Sequence, residues 1–387
     1  MRIVERNAMA TQLCARLADK DADYKRFGIA KKPSFKEDGM RTHGGKGTFE
    51  WWYTDVTFED GTAVVVIFFT KNYFDTPGPA WPTADFEIVD PSGKRTNVWT
   101  RGKKGTKINA AKDVCNVSIE KNYIRYVDGV YKVHYEDHGI VYDATMKPKL
   151  PMWRPGAAHW IFGEGTPNER TYGWFVAQPD AEVEATLTMN GKTQHFKKGQ
   201  GYHDHNWGNV SLEKILNHWY WGRAHVGPYT VIACDIIAEK QYGYKRLPVF
   251  MLARDGEILS DDPRKTTIER GGTHIHPVSG KFMDDDLTYI QRESGDVQYI
   301  VTFHREGDYN QRSILEVVPA WKRVLAKAIG MNPTYIRVKG TVGVEERRCG
   351  VGDAYKAQGL WEQYFMGSNK LAIIEGKTVP LSDDTAK

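Results

Sequence analysis

The chain of 387 residues has few features that would suggest a metal, a nucleotide or a membrane. Cysteine is scarce: Cys14, Cys115, Cys234 and Cys349 lie far apart and form no CxxC pair. That spacing excludes zinc-ribbon and thioredoxin-type motifs, and it reads as reduced thiols in a cytoplasmic protein. No stretch approaches the ~20 apolar residues of a transmembrane helix. The opening MRIVERNAMATQLCARLADK lacks the apolar core of a signal peptide. Net charge is only +4, with no basic run interleaved with aromatics, so nucleic acid is not an expected partner. GxxxxGKS/T is absent, as is GxGxxG after a strand, so neither phosphate-binding loop is expected. No GxSxG elbow is present either, which argues against a serine hydrolase. No cofactor and no metal are expected.

Aromatic residues are plentiful. They make up 12% of the chain, with 20 Tyr and 12 Trp. Such a content suits a β-rich fold and a large apolar cavity equally well. Short alternating runs separated by Asp-Gly and Asn-Gly turns (Asp60-Gly61, Asp128-Gly129, Asn190-Gly191, Asp255-Gly256) read as antiparallel hairpins. The expected fold is mainly β: two consecutive antiparallel barrels or sandwiches with a few short helices. The expected divisions are a helical or extended lead-in over 1–41, β domains over 42–195 and 196–367, and a tail over 368–387. Helices are expected around Ala10–Leu17, over Gln358–Gly367 and over Pro319–Gly330. In the last, Trp321, Val324, Leu325, Ala328 and Ile329 share a face, with Lys322, Arg323 and Lys327 off it. That helix reads either as packed on a sheet or as a basic-flanked interfacial helix touching a membrane.

The chemistry concentrates between Gly201 and Asp235, GYHDHNWGNVSLEKILNHWYWGRAHVGPYTVIACD. On a strand, side chains alternate faces. His203, His205 and Trp207 therefore share one face, and Tyr202, Asp204 and Asn206 the other. Trp219, Trp221, Arg223 and His225 lie together on the next strand. Asp235 interrupts an apolar run, so its carboxyl is either paired or has its pKa raised by desolvation. His203-x-His205 with His218 or His225 could begin a metal triad, but no fixed second ligand motif accompanies it.

GYHDHNWG, WYWGRAHV, the acidic residue on the following strand and the early Phe49-Glu50-Trp51-Trp52-Tyr53 resemble the carotenoid 1,2-hydratase and AttH-like superfamily. That superfamily also contains kievitone hydratase-like enzymes and natural-product Diels–Alderases, and the likeness spans roughly residues 42 to 367. It implies two lipocalin-like domains and a cofactor-independent enzyme acting on a lipophilic isoprenoid or polyketide-like substrate. It places the family's acting residues on His205, Trp207 and Asp235. Ala233 stands where an aromatic is expected in the carotenoid enzymes.

Hydration or cyclisation of an alkene needs a strong acid, aromatic faces for the cation and a base for the last proton. Asp235 is the first choice of acid, and Glu50, beside two Trp, is the alternative. His205 and Asp204 could position or deprotonate water, although Asp204 could instead bridge to Arg223. Trp207, Trp52, Trp219, Trp221, Arg223 and Tyr202 are the expected substrate-binding set. A pericyclase or a lipocalin-like carrier would use the same cavity without the acid.

Overall fold

In the computed structural model, residues 13–366 are described, apart from 314, 316–322, 326–327, 329–330 and 350, together with the backbone of 371–374 and 377–380. The fold is mainly β and lipocalin-like, built from two curled antiparallel sheets. A 13-stranded sheet holds every strand up to Gly208, and a 9-stranded sheet holds those from Leu216 to Phe365 except the short pair His274–Ile275 and Phe282–Met283, which form a sheet of their own. The strands that matter for function in the first sheet are β1 (Phe49–Phe58), β2 (Ala63–Phe69), β3 (Thr83–Val89), β4 (Arg170–Met189) and β5 (Lys192–Gly208). They are neighbours in the order β3-β2-β1-β5-β4. In the second sheet they are β6 (Leu216–Val226), β7 (Tyr229–Ala238), β8 (Arg246–Arg254), β9 (Thr266–Gly271), β10 (Val297–Ser313), β11 (Thr334–Arg348) and β12 (Val351–Phe365). There the order runs β8-β7-β6-β12-β11-β10, and β9 is the far edge.

Turn chemistry fixes the hairpins. Asn190 and Gly191 both take positive φ (53° and 71°), as do Asp128-Gly129 and Asp255-Gly256. Two consecutive left-handed residues match the twist of the flanking strands, and Asn, Asp and Gly tolerate that conformation best. The sheets part between Gly208 and Leu216. The boundary expected between 195 and 196 therefore lies within β5, which pairs with β1 as far as Gly208.

Strand alternation makes three core layers. One face of β1 and β5 packs inside the first curl, where Trp52, Val56 and Trp207 join Val66, Phe68, Phe86, Ile124 and Phe175. The opposite face packs between the sheets, where Phe49, Trp174, Val176 and Tyr202 meet Ile232, Cys234, Ile236, Val249 and Met251. The far face of β6 and β7 fills the second curl with Tyr220, Val231, Ala233, Phe250, Phe303 and Trp361.

Three helical expectations fare differently. Gln358–Gly367 is not a helix: residues up to Phe365 belong to β12. Its side chains alternate, with Trp361 and Phe365 buried on one face and Glu362 half-exposed on the other. Near the start, Ala15–Leu17 is a short strand on residues 159–162, and the helix follows at Asp21–Phe27. Of the 319–330 helix, 323–325 and 328 are helical, with Val324 and Leu325 exposed; the rest lies outside the described residues. Backbone 371–374 pairs with 377–380 inside the stretch expected to be a tail.

Candidate active site

The alternation that builds the core layers also sorts the motif residues into three compartments. His203, His205, Trp207 and Trp52 point into the first curl. His205 is fully buried and stacks on Trp52 at 4.5 Å. Its Nε2 lies 2.8 Å from Glu50 Oε1, and its Nδ1 lies 3.2 Å from the Glu37 carbonyl. Glu50 also accepts from the Arg41 amide (2.6 Å), the Thr42 amide (2.9 Å) and the Thr42 hydroxyl (2.7 Å). Four donors on one carboxylate fasten the lead-in to the sheet, so Glu50 has no free edge to offer a substrate. Trp52 is equally enclosed, donating from Nε1 to the Asp38 carbonyl. Trp207 lies across Gly173, where a Cβ would fall 2.1 Å from the indole. It donates to His159 Nε2 and borders a small pocket with Arg26, Phe27 and Arg41.

His203 has two acceptors, the Tyr53 carbonyl at 2.8 Å and Asp38 Oδ2 at 3.0 Å. Burial works against its charge, but Asp38 outweighs burial and raises its pKa. Cys115 completes a trio with Asp38 and His203, whose donor atoms lie within 4.8 Å of one another. Neither His218 nor His225 joins this group.

Asp235 occupies the second curl. The expectation of a protonated acid fails there. Burial pushes its pKa up, but Arg270 and Arg246 more than offset this and hold it at about 2. Its Oδ2 lies 2.7 Å from Arg246 and 2.5 Å from Arg270. The apolar run around Asp235 hid both arginines, which arrive from β8 and β9.

The third compartment lies between the sheets, and its lining side chains are only partly buried. Trp51 and Tyr53 of β1, Trp219, Trp221 and Arg223 of β6, Tyr335 and Arg337 of β11, and Glu362 of β12 are only half-buried there. Val65, Ile67 and Phe69 of β2, also half-buried, extend the same face. Polar contacts clasp the walls together. Arg223 pairs with Asp55, not with Asp204, while Arg312 lies 3.6 Å from Glu87 and the Tyr73 and Tyr364 hydroxyls are 2.7 Å apart. Tyr202 lies edge-on to Trp221 at 5.5 Å, beneath the Arg223 guanidinium.

Asp204 belongs to this cleft. Its Oδ2 accepts from Trp174 Nε1 (2.9 Å) and the Tyr202 hydroxyl (2.8 Å), and its Oδ1 from Asn206 (2.8 Å). Burial outweighs these donors and pushes its pKa up to about 7. Opposite, Trp219 Nε1 donates to Glu362 at 2.9 Å, and burial raises the Glu362 pKa too. Tyr172 feels the charge of both carboxyls, and Tyr53 feels Glu362 and Arg337 across the gap. Two acids, a wall of aromatic faces and an apolar strip thus share one cleft. Chemically, this arrangement can deliver a proton to a flat lipophilic molecule and stabilise positive charge on it. Sequence reasoning read Trp51 as core or cavity wall but missed Tyr53, Tyr335, Arg337 and Glu362 as lining residues. The period-two alternation of 335–346 and 358–365 was the available signal.

A Diels-Alderase-like family model matches residues 130–311. The quinolone epoxide rearrangement protein penF of Penicillium thymicola is 31% identical over 134 residues, 34% of this chain. The match takes in 36% of penF, so the chain spans little more than a third of that relative's length. Among solved structures, CghA with Sch210972 has a TM-score of 0.58 at 15% identity, over 84% of this chain and 89% of that one. Kievitone hydratase from Nectria haematococca has a TM-score of 0.54 at 14% identity, over 92% of this chain and 98% of that one. The HDHNWG motif lies within the residues matched by the Diels-Alderase-like model, and the fold is that of CghA and kievitone hydratase.

Proposed function

We propose that this protein is a cofactor-independent enzyme of secondary metabolism that rearranges or cyclises a lipophilic substrate by proton-initiated chemistry in the inter-sheet cleft. The carrying observation is Asp204. It is a buried carboxyl with a pKa of about 7, against an aromatic wall. A carboxyl so poised is protonated often enough at neutral pH to act as a general acid, and its conjugate base is close at hand for the return step.

In the step we infer, the Asp204 proton adds to an oxygen or an alkene carbon of the substrate. The C–O bond opens, or the π bond is used, and the positive charge forms on carbon. Trp51, Trp219, Trp221 and Tyr53 present ring faces that stabilise it. A shift or internal attack then moves the cation, and the carboxylate takes back one proton. Atoms balance without an added oxidant or reductant, and the product is an isomer of the substrate. The likeness to a quinolone epoxide rearrangement protein supports rearrangement over net hydration. The burial of Asp204, which is 7% exposed, limits access of bulk water to the carboxyl. Asp235 has no place in this reading, being ionised and in another compartment.

The test is mass spectrometry of small molecules made by a host expressing wild type or Asp204→Asn. Two compounds of equal mass and different retention, one per strain, are expected. A product heavier by one water would replace rearrangement with hydration. The same compound from both strains would remove Asp204 as the acid and favour a carrier.

A further inference from the structure

Arg337 stands apart from the other guanidiniums of the cleft. Arg223 is tied to Asp55, and Arg312 lies beside Glu87. Arg337 makes no hydrogen bond or ion pair among the described residues. It is the fourth residue of β11, with Glu362 beside it on β12, Asn310 beside it on β10 and Tyr53 across the gap. Its neighbour Glu362 is engaged by Trp219, and burial favours the neutral form of that carboxyl. The Arg337 guanidinium is half-buried, with the charges of Asp55 and Glu362 nearby but no acceptor at hydrogen-bond distance among the described residues. A ligand that supplies two acceptors there would complete its hydrogen bonding. The planar fork of an arginine matches two oxygens on one edge of a flat group. Around it stand the faces of Tyr335, Trp219, Trp221 and Tyr53, half-buried and apolar.

Resting on the reading of the cleft as the substrate site, we propose that Arg337 anchors the substrate. The ligand class it selects is a flat lipophilic molecule carrying two oxygen acceptors on one edge, a carboxylate or an enolised 1,3-dicarbonyl. Held there, the oxygen-bearing end is fixed at β11 and the remainder extends over the aromatic wall towards Asp204. Arg337 is thus a substrate-binding residue that acts in registration, and the proton comes from the opposite wall.

Isothermal titration with a matched pair tests this: 2-naphthoate, which carries the two-oxygen edge, and naphthalene-2-methanol, which does not. Wild type is expected to bind 2-naphthoate about 10- to 100-fold more tightly, the worth of one charge-assisted pair. Arg337→Gln should erase that preference while leaving the alcohol's affinity in place. Arg337→Lys, which keeps the charge and serves as the folding control, should retain part of it. Trp221→Ala should weaken both probes alike. Preference retained in Arg337→Gln, or no preference in wild type, would overturn the anchoring role and leave the cleft reading standing. Affinities unmoved by Trp221→Ala would instead sink the cleft as the binding site.

Discussion

Asp204 and Asp235 are both buried, and both lose hydration, yet their pKa values move in opposite directions. Asp204 meets neutral donors: an indole, a phenol and an amide. Asp235 meets two guanidiniums. Full opposite charges stabilise a carboxylate more than neutral dipoles do. Two predictions follow at this scale. First, if Asp204 is the acid as proposed, kcat/KM should fall as pH rises through about 7, while Asp204→Asn should be slow at every pH. A wild-type rate that climbs through that range would rule out the acid. The same raised pKa carries a stability signature. Asp204's contribution is complete below the unfolded value of 3.8 and is lost as pH rises towards about 7. Second, Asp235→Asn should cost about 3 to 5 kcal/mol in urea unfolding at neutral pH, because Arg270 and Arg246 keep uncompensated charge. Asp235 has a lowered pKa, so its contribution is present above 3.8 and fades as pH falls towards about 2. A fully stable Asp235→Asn that has lost turnover would return Asp235 to the catalytic role.

At the scale of elements, a strand's two faces do separate jobs, and small residues permit the closest contacts. Gly173 pairs with Trp207, and the indole occupies the space where a side chain would start. Gly173→Ala should therefore cost about 1 to 3 kcal/mol through overpacking and shift the Trp207 fluorescence. An unchanged midpoint would mean that β4 and β5 separate more readily than their pairing implies. β12 carries the corresponding lesson for the site. Read as a helix, Gln358–Gly367 scatters Glu362, Trp361 and Tyr364 around a cylinder. As a strand, it places Glu362 in the cleft and Trp361 in the second curl. His203 and Asp204 are separated in the same way, one peptide apart and in different compartments.

At the scale of the molecule, the cleft exists because two sheets face each other and are clasped at a few polar points. Asp55 and Arg223 form such a clasp from opposite sheets, both with little exposed surface. A double-mutant cycle on Asp55→Ala and Arg223→Ala should give a coupling of about 0.5 to 3 kcal/mol. A coupling near zero would show that aromatic packing alone holds the walls. Among the described residues no helix is long and apolar enough to cross a membrane.

The sequence by itself determined what is local. Asn-Gly and Asp-Gly turns and period-two patterns marked the hairpins, because φ preferences and side-chain alternation are properties of short segments. The split of His203, His205 and Trp207 from Tyr202, Asp204 and Asn206 was legible for the same reason. So was the grouping of Trp219, Trp221 and Arg223. Only the tertiary structure decided which charges meet. Arg246 and Arg270 reach Asp235 from other strands, Asp55 captures Arg223, and the lead-in claims Glu50. Desolvation and Coulomb interactions depend on distance in space, which the order of residues does not encode, so the opposite pKa shifts of Asp235 and Asp204 became legible only in the fold.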